Sequence, residues 1–429
     1  MHVMVLGAGI TGVTTAWYLS QAGFEVSVID RQPEAALETS FANGGQISIS
    51  HPEPWANPSA PLTALRWLGR RDAPLLFRVR ADAAQWRWTL GFLRECLPWR
   101  TRHNTDAIAS LAVHSGRCLR ALRETTGIRY DALQRGILHL FFSREEFAHA
   151  AGRLRLLHAH GIRARLCDRV ECIAIEPALA ATGGELAGGL YAPDDESGDA
   201  FRFTQALAQR ASEAGVRFYY RTRITRLASR DGRIDGVDVT DEGGRPGMHT
   251  ADAYVLCLGS YGAALVAPLG ERLPIYPVKG YSVTVPVVDP ARAPSVSLTD
   301  ESRRIVCSRL GDRLRVAGTA ELTGFDTRPN EERCRMILDW LAARFPGATD
   351  PARASLWAGL RPATPSNIPL IGRSRVTNLW YNTGHGTLGW TLSCGSADAL
   401  ADLMRGRRPA VEDFPFLGAA AVPDTMASR

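Results

Sequence analysis

The chain has 429 residues, 45% hydrophobic and 22% charged, with a formal net charge of +6. That composition belongs to an ordinary folded protein long enough for two packed domains. It excludes a disordered chain and, with no run of about eighteen apolar residues, a membrane-spanning one. Eight scattered cysteines without a C-x-x-C pair argue against a zinc or iron–sulfur site and a disulfide framework. The N-terminus enters a strand directly, leaving no room for a secretory leader, so a cytoplasmic setting is expected.

The first thirty residues read as a complete nucleotide-binding half-site. An apolar strand from Val3 to Leu6 runs into Gly7-Ala8-Gly9-Ile10-Thr11-Gly12, a short helix, a second strand from Glu25 to Ile29, and Asp30. Gly7 permits the tight exit from the strand, Gly9 lets backbone approach a pyrophosphate, and Gly12 lets helix pack against sheet. Ile10 and Thr11 open the helix whose free N–H groups face the anion. Asp30 stands eighteen residues beyond Gly12, where an acid hydrogen-bonds a ribose hydroxyl and disfavours a 2′-phosphate. The helix ends at Gly23, suited to a left-handed cap.

Farther along, Pro52 to Pro61 is turn-rich, and Leu62 to Arg102 reads as interrupted helix. Between Arg66 and Arg102 nine arginines face three acids, and five of the ten tryptophans (Trp55, Trp67, Trp86, Trp88 and Trp99) fall in the same region. Tryptophan with arginine suits a membrane interface, but a solvated helical subdomain with inward-packed indoles fits equally. Nothing resembles a nucleic-acid module. Helices are expected over 106–126, 145–160, 203–214 and 333–345. Strands are expected over 136–142, 216–220 and 253–257, then over 275–285 and within 303–317, with the last two regions antiparallel. A strand at 379–382 leads into Gly384-His385-Gly386-Thr387-Leu388-Gly389 and a final helix to about Met404.

Nucleotide-domain elements thus recur at the beginning, middle and end. The reading is an α/β chain with a Rossmann-like dinucleotide domain interleaved with an antiparallel-sheet substrate domain. The first comprises 1–50, 150–262 and 352–418. The second comprises 51–149, with the tryptophan- and arginine-rich helical insert, and 263–351; residues 419–429 form a flexible tail.

Two anion-friendly helix starts, after Gly12 and near Leu388, are one more than an NAD site needs. A helix N-terminus aimed at a flavin's pyrimidine edge explains the second, although an ordinary glycine-rich turn is the alternative. Arginine supplies 49 of the 50 basic residues, and the sole lysine, Lys279, lies in the strand YPVKGYS beside Tyr281. Arg361, in WAGLRP, could grip a carboxylate with its planar fork.

The segments LGAGITGVTTAWYLSQAGFEVSVIDR, ALETSFANGGQIS, YPVKGYSVTVP, LWAGLRPATPSNIPLIGR and NLWYNTGHGTLGWTLSCGS together resemble the FAD-dependent D-amino acid dehydrogenase small-subunit family. More broadly, the chain is similar to the D-amino acid oxidase, glycine oxidase and sarcosine oxidase group. The resemblance extends from Met1 to about Pro409. It implies non-covalent FAD and oxidative deamination of a D-amino acid to a 2-oxo acid and ammonia. Hydride would pass from the α-carbon to the flavin, and electrons onward to a quinone or another carrier. It implies that Gly7, Gly9, Gly12, Asp30 and Arg31 hold the ADP half and that Ser40, Asn43, Gly45, Gln46 and Ile47 run along the flavin. Ile224 would lie near adenine, Gly259 near the pyrophosphate, and Gly384, His385, Gly386, Thr387 and Leu388 at the pyrimidine edge. Arg361 matches the carboxylate-gripping arginine; Tyr281 and Lys279 would be pocket residues, and His385 is the candidate for assisting deprotonation. No metal is expected. A secondary-amine substrate such as sarcosine, D-proline or hydroxyproline stays open, as does a basic flavin-binding module without catalysis. A site at the inner face of the cell membrane fits the insert.

Overall fold

A computed structural model describes residues 1–67 and 73–418. Residues 68–72 of the insert, and the expected tail 419–429, lie outside the described residues. The described residues build four sheets, and the two largest share one cavity.

The first is six-stranded, in the order 370–373, 379–383, 253–256, 2–6, 25–29, 217–219. Strand His2–Leu6 is central, pairing in parallel with Glu25–Ile29 and with Ala253–Leu256. Val3 to Leu6 are almost wholly buried, as a strand covered on both faces requires. Helix Ile10–Gln21 lays Ile10, Val13, Ala16 and Leu19 on this sheet. The close approach depends on Gly12, where a Cβ would stand 1.9 Å from the Gly7 carbonyl oxygen. Gly7 itself has φ +106, which only glycine adopts freely. The expected 203–214 helix begins slightly earlier, at Ala200, because the Asp199 carboxylate accepts from the Phe201 and Arg202 N–H groups and caps it.

The second sheet has nine strands. Eight follow the order 355–363, 276–286, 313–322, 305–310, 297–300, 137–141, 188–192, 165–167, and Leu75–Phe77 joins strand 313–322 from the insert. Most pairs are antiparallel, as expected, but the pairs 297–300 with 137–141 and 75–77 with 313–322 are parallel. Strands Arg165–Cys167, Gly188–Ala192 and Ser355–Ala363 fall within the ranges expected for the dinucleotide domain, and their hydrogen bonds run in the second sheet. The insert is also more regular than expected. It holds helices Ala60–Trp67 and Ala83–Glu95, and then one long helix, Pro98–Thr126, that joins two segments read as separate. Proline at its first turn costs no hydrogen bond, and Gly127, at φ +62, ends it.

Candidate active site

Between the two sheets lies a cavity of about 1460 Å³, larger than the roughly 300–1,000 Å³ that a small ligand fills. Gly7, Gly9, Ile10, Thr11, Asp30 and Arg31 line one end. At Gly9 a Cβ would meet only the Ser40 Oγ, at 3.6 Å, so the backbone faces open space there. The Ile10 N–H donates to Ser40 Oγ at 3.0 Å, while the next N–H groups of the helix start have no intrahelical acceptor. Asp30 accepts from the Ala8 N–H at 2.6 Å and the Gln32 N–H at 2.8 Å, which fixes its carboxylate at the cavity edge. Burial raises its pKa above the ordinary carboxylate value, and these two donors oppose that shift. Arg31 is clamped by Glu38 and lies over the Tyr261 ring at 4.2 Å. Ile224 and Gly259, at φ +52, complete this end.

The middle of the cavity is formed by the loop after Ser40. Asn43 Oδ1 accepts from the Gly45 N–H at 3.0 Å, and Gly45 has φ +71, so the loop turns sharply. Gln46 donates to Ser297 Oγ at 3.0 Å and Thr299 Oγ1 at 3.1 Å, pinning the loop to the second sheet. Ser40, Asn43, Gly45 and Gln46 line the cavity, but the Ile47 side chain turns into the core, leaving only its backbone toward the loop.

At the far end, the loop Gly384–Leu388 enters the final helix, Gly389–Met404, which has no side-chain cap at its N-terminus. Gly384 and Gly386 have φ +80 and +53, and the Gly386 N–H donates to the Pro362 carbonyl at 3.0 Å. Beside them, the buried hydroxyl of cavity-lining Thr383 has no partner among the described residues. A long cavity with an open glycine cradle, two uncapped helix starts and this orphaned hydroxyl fits a dinucleotide that carries a polar ring system.

Arg361 lies at the sheet wall of the same end. Its guanidinium crosses Gly280, where a Cβ would stand 2.3 Å from Arg361 Cζ, and its Nη1 donates to the Thr319 carbonyl at 3.1 Å. That carbonyl is aimed by a bulge. The register of strands 276–286 and 313–322 skips Thr319, which sits at φ +56, a costly conformation for a β-branched residue. Among the described residues, Arg31, Arg153 and Arg304 each pair with a carboxylate, whereas Arg361 faces the cavity with only this carbonyl; Arg223, at the Asp30 end, also lines the cavity. Burial pulls its pKa down to about 10. A half-buried guanidinium facing a cavity in this way has the geometry to bind a carboxylate.

Three sequence candidates occupy different surroundings from those expected. Lys279 is buried outside the cavity lining, and its Nζ meets Asp326 Oδ2 at 3.2 Å, so its ammonium is spent on an ion pair. Tyr281 reaches the lining, but its hydroxyl donates to Glu321, which also holds Arg78. His385 lines the cavity with its Nε2 at 3.1 Å from Ser396 Oγ; that hydroxyl donates to the Ser393 carbonyl, so the imidazole donates through Nε2. Burial lowers its pKa to about 3, which makes it a neutral anchor for the loop rather than a titrating base. Gly280, Thr319 and Thr383 are the site residues that sequence reading missed.

Two large sheets enclosing a cavity with a glycine-loop cradle at one end and a cavity-facing guanidinium at the other define the class of flavin-type oxidoreductases. The chain is a member of the FAD dependent oxidoreductase family, whose description matches residues 2–403, and its cofactor is FAD. It is 53% identical over 417 residues to a D-amino acid dehydrogenase of Dechloromonas aromatica (strain RCB), covering 97% of this chain and 100% of that one. It is 52% identical over 412 residues to a D-amino acid dehydrogenase of Paramagnetospirillum magneticum, covering 96% of each. Among solved structures, glycine oxidase from Bacillus cereus has a TM-score of 0.70 at 22% identity, covering 94% of this chain and 95% of its own. L-Proline dehydrogenase from P. horikoshii has a TM-score of 0.73 at 18% identity, covering 96% and 95%. These two likenesses concern the fold.

Proposed function

We propose that this chain oxidises D-amino acids to 2-oxo acids and ammonia. The observation that carries the reading is Arg361, a guanidinium turned into the cavity without an acidic partner among the described residues, in a chain about half identical to proteins named D-amino acid dehydrogenase. Arg361 binds the substrate carboxylate and thereby sets where the α-carbon stands. Gly280 makes room for that grip, and the Thr319 carbonyl holds the guanidinium in plane. When bound, FAD supplies the two-electron acceptor that takes the α-hydrogen as hydride; water then converts the imino acid released from the site to product.

The glycine loop with Asp30 holds the ADP half, and the Gly384–Leu388 loop, braced by His385 on Ser396, holds the ring edge. No side chain is required as a base: the ammonium gives its proton to water, and positioning carries the rate. Cofactor attachment is non-covalent. The lining cysteine, Cys257, sits against the glycine loop, and burial pushes its thiol up to about 12.

Electrons leave toward a membrane quinone, and the insert is the membrane-facing element. Among the described residues no helix is long and apolar enough to cross a bilayer. The insert nevertheless exposes Leu62, Leu65, Trp86, Leu90 and Trp99 within an arginine-rich segment, and Leu65 and Trp86 also line the cavity. That combination supports a peripheral seat on anionic lipid. Anaerobic mixing of the purified flavoprotein with D-amino acids, their L-enantiomers and secondary amines tests the reading. D-amino acids should bleach the flavin absorbance; bleaching confined to L-amino acids or secondary amines would contradict it.

A further inference from the structure

Where the final helix crosses the insert's long helix, three side chains converge that the reaction leaves unused. His114 and Cys118 stand four residues apart on helix Pro98–Thr126 and so share one face. The sequence holds no C-x-x-C pair, but two ligands at i and i+4 on a helix are likewise a metal-binding spacing. Asp398 reaches the same point from helix Gly389–Met404. Its Oδ2 is 2.9 Å from His114 Nε2, Cys118 Sγ is 3.4 Å from that same nitrogen, and the three atoms all lie within 4.8 Å of one another. The three residues lie outside the lining of the large cavity.

One nitrogen cannot serve both neighbours with protons alone. A neutral imidazole Nε2 either donates through its single N–H or accepts through its single lone pair, so one of the two contacts is left without a hydrogen bond. A cation at the centre satisfies all three groups, because imidazole, thiolate and carboxylate then each give it a lone pair, and the thiol proton leaves to water. A tetrahedral zinc ion holds such donors roughly 3.4–3.6 Å apart. The S···N separation already fits, and the Asp398 carboxylate, on a side chain 33% exposed, has to shift by roughly half an ångström. The helices themselves are fixed. The Gly395 N–H donates to Ser115 Oγ at 3.0 Å, and a Cβ on Gly395 would stand 2.7 Å from the Ser115 Cα. Tyr18, from helix Ile10–Gln21, donates its hydroxyl to the Cys118 carbonyl at 3.2 Å. Ligands on braced helices are preorganised for a metal.

We propose that His114, Cys118 and Asp398 bind one zinc ion, with water in the fourth position, and that the ion clamps the insert's long helix to the final helix. Mixed nitrogen, sulfur and oxygen ligation selects zinc over magnesium and calcium, which take oxygen ligands. The site is independent of the substrate reading above, and its occupancy leaves the oxidation itself unchanged.

The test uses FAD-loaded enzyme freed of metal by dialysis against a chelator, with Co²⁺ as the probe and Zn²⁺ as its competitor. Wild type should bind one cobalt per chain. The difference spectrum against metal-free enzyme should show thiolate-to-cobalt charge transfer and tetrahedral d–d absorption to the red of the flavin bands, and zinc should erase both. Cys118→Ser should lose the charge transfer, and His114→Gln and Asp398→Asn should each weaken cobalt binding by roughly 10–100-fold. Zinc should raise the thermal midpoint of wild type and leave that of Cys118→Ser in place, since an ion that binds only the folded chain stabilises it. Absence of cobalt uptake by wild type, or uptake without a thiolate signature, reduces the cluster to an ion pair beside a thiol and overturns the proposal. Equal uptake by wild type and all three variants places the metal elsewhere and overturns it as well. A wild-type midpoint that zinc does not raise removes the clamp. Should the variants fail to fold, the stoichiometry and spectrum of wild type decide alone.

Discussion

At the scale of single residues, the site depends on what its charged groups lack. Arg361 is the clearest case, because a half-buried guanidinium with no carboxylate among the described residues is left for a ligand to complete. Replacing Arg361 with Leu should raise the apparent substrate KM by roughly 100-fold, the worth of two charge-assisted hydrogen bonds, while the purified protein keeps its flavin absorbance. Equal loss of flavin would instead make Arg361 a structural residue. His385 supplies a second test. Its folded pKa, about 3, lies below the unfolded value of about 6.5, so the native state refuses a proton that the unfolded chain accepts. Its contribution to stability is whole above pH 6.5 and drains as pH falls, by about 2 kcal/mol at pH 5. Denaturant unfolding of wild type and His385→Gln should therefore show a stability gap that narrows by about that amount from pH 7 to pH 5. A constant gap would contradict a buried neutral imidazole.

At the scale of elements, the two glycine-marked helix starts were legible because each depends on local chain chemistry: a strand, a tight turn and a close approach. Gly12→Ala tests the first start. A methyl placed 1.9 Å from the Gly7 oxygen cannot be accommodated without moving the helix. Thermal unfolding should register a loss of several kcal/mol, accompanied by weakened FAD retention. A variant with wild-type stability and flavin content would show that the helix–strand contact is looser than described. What escaped the sequence was long-range. The bulge that aims the Thr319 carbonyl at Arg361 exists only once strands 276–286 and 313–322 pair out of register, and no local pattern around Thr319 announces it. Likewise, Lys279 and Tyr281 stood out as rare or aromatic residues beside a glycine. Their partners, Asp326 and Glu321, lie 47 and 40 positions downstream, so their engagement is invisible along the chain. His385 looked like a titrating group until its burial was known.

At the scale of the whole molecule, the interleaving of the two largest sheets sets Arg361 on one against the glycine loop on the other. Strands 165–167, 188–192 and 355–363 lie inside ranges expected for the dinucleotide domain but pair in the second sheet, because chain proximity is a poor guide where a chain crosses between sheets several times. The insert meanwhile divides its tryptophans: Trp88 is buried, while Trp86 and Trp99 are 45% and 61% exposed, so the inward-packing and membrane-facing readings each describe part of it. If the exposed part is the membrane seat, wild-type protein should float with anionic liposomes at low salt. A variant carrying Leu62→Ser, Leu65→Ser, Leu90→Ser and Trp99→Ser should remain at the bottom with its flavin retained. Flotation unchanged by these substitutions would move the contact elsewhere. The central claim is the pairing of cofactor and receptor in one cavity, and anaerobic titration with D-leucine tests it most directly. The account predicts that the flavin is fully reduced, with 2-oxo acid and ammonia each appearing in equal amount to the reduced flavin. Product without flavin reduction, or an unreduced flavin at saturating D-leucine, would contradict it.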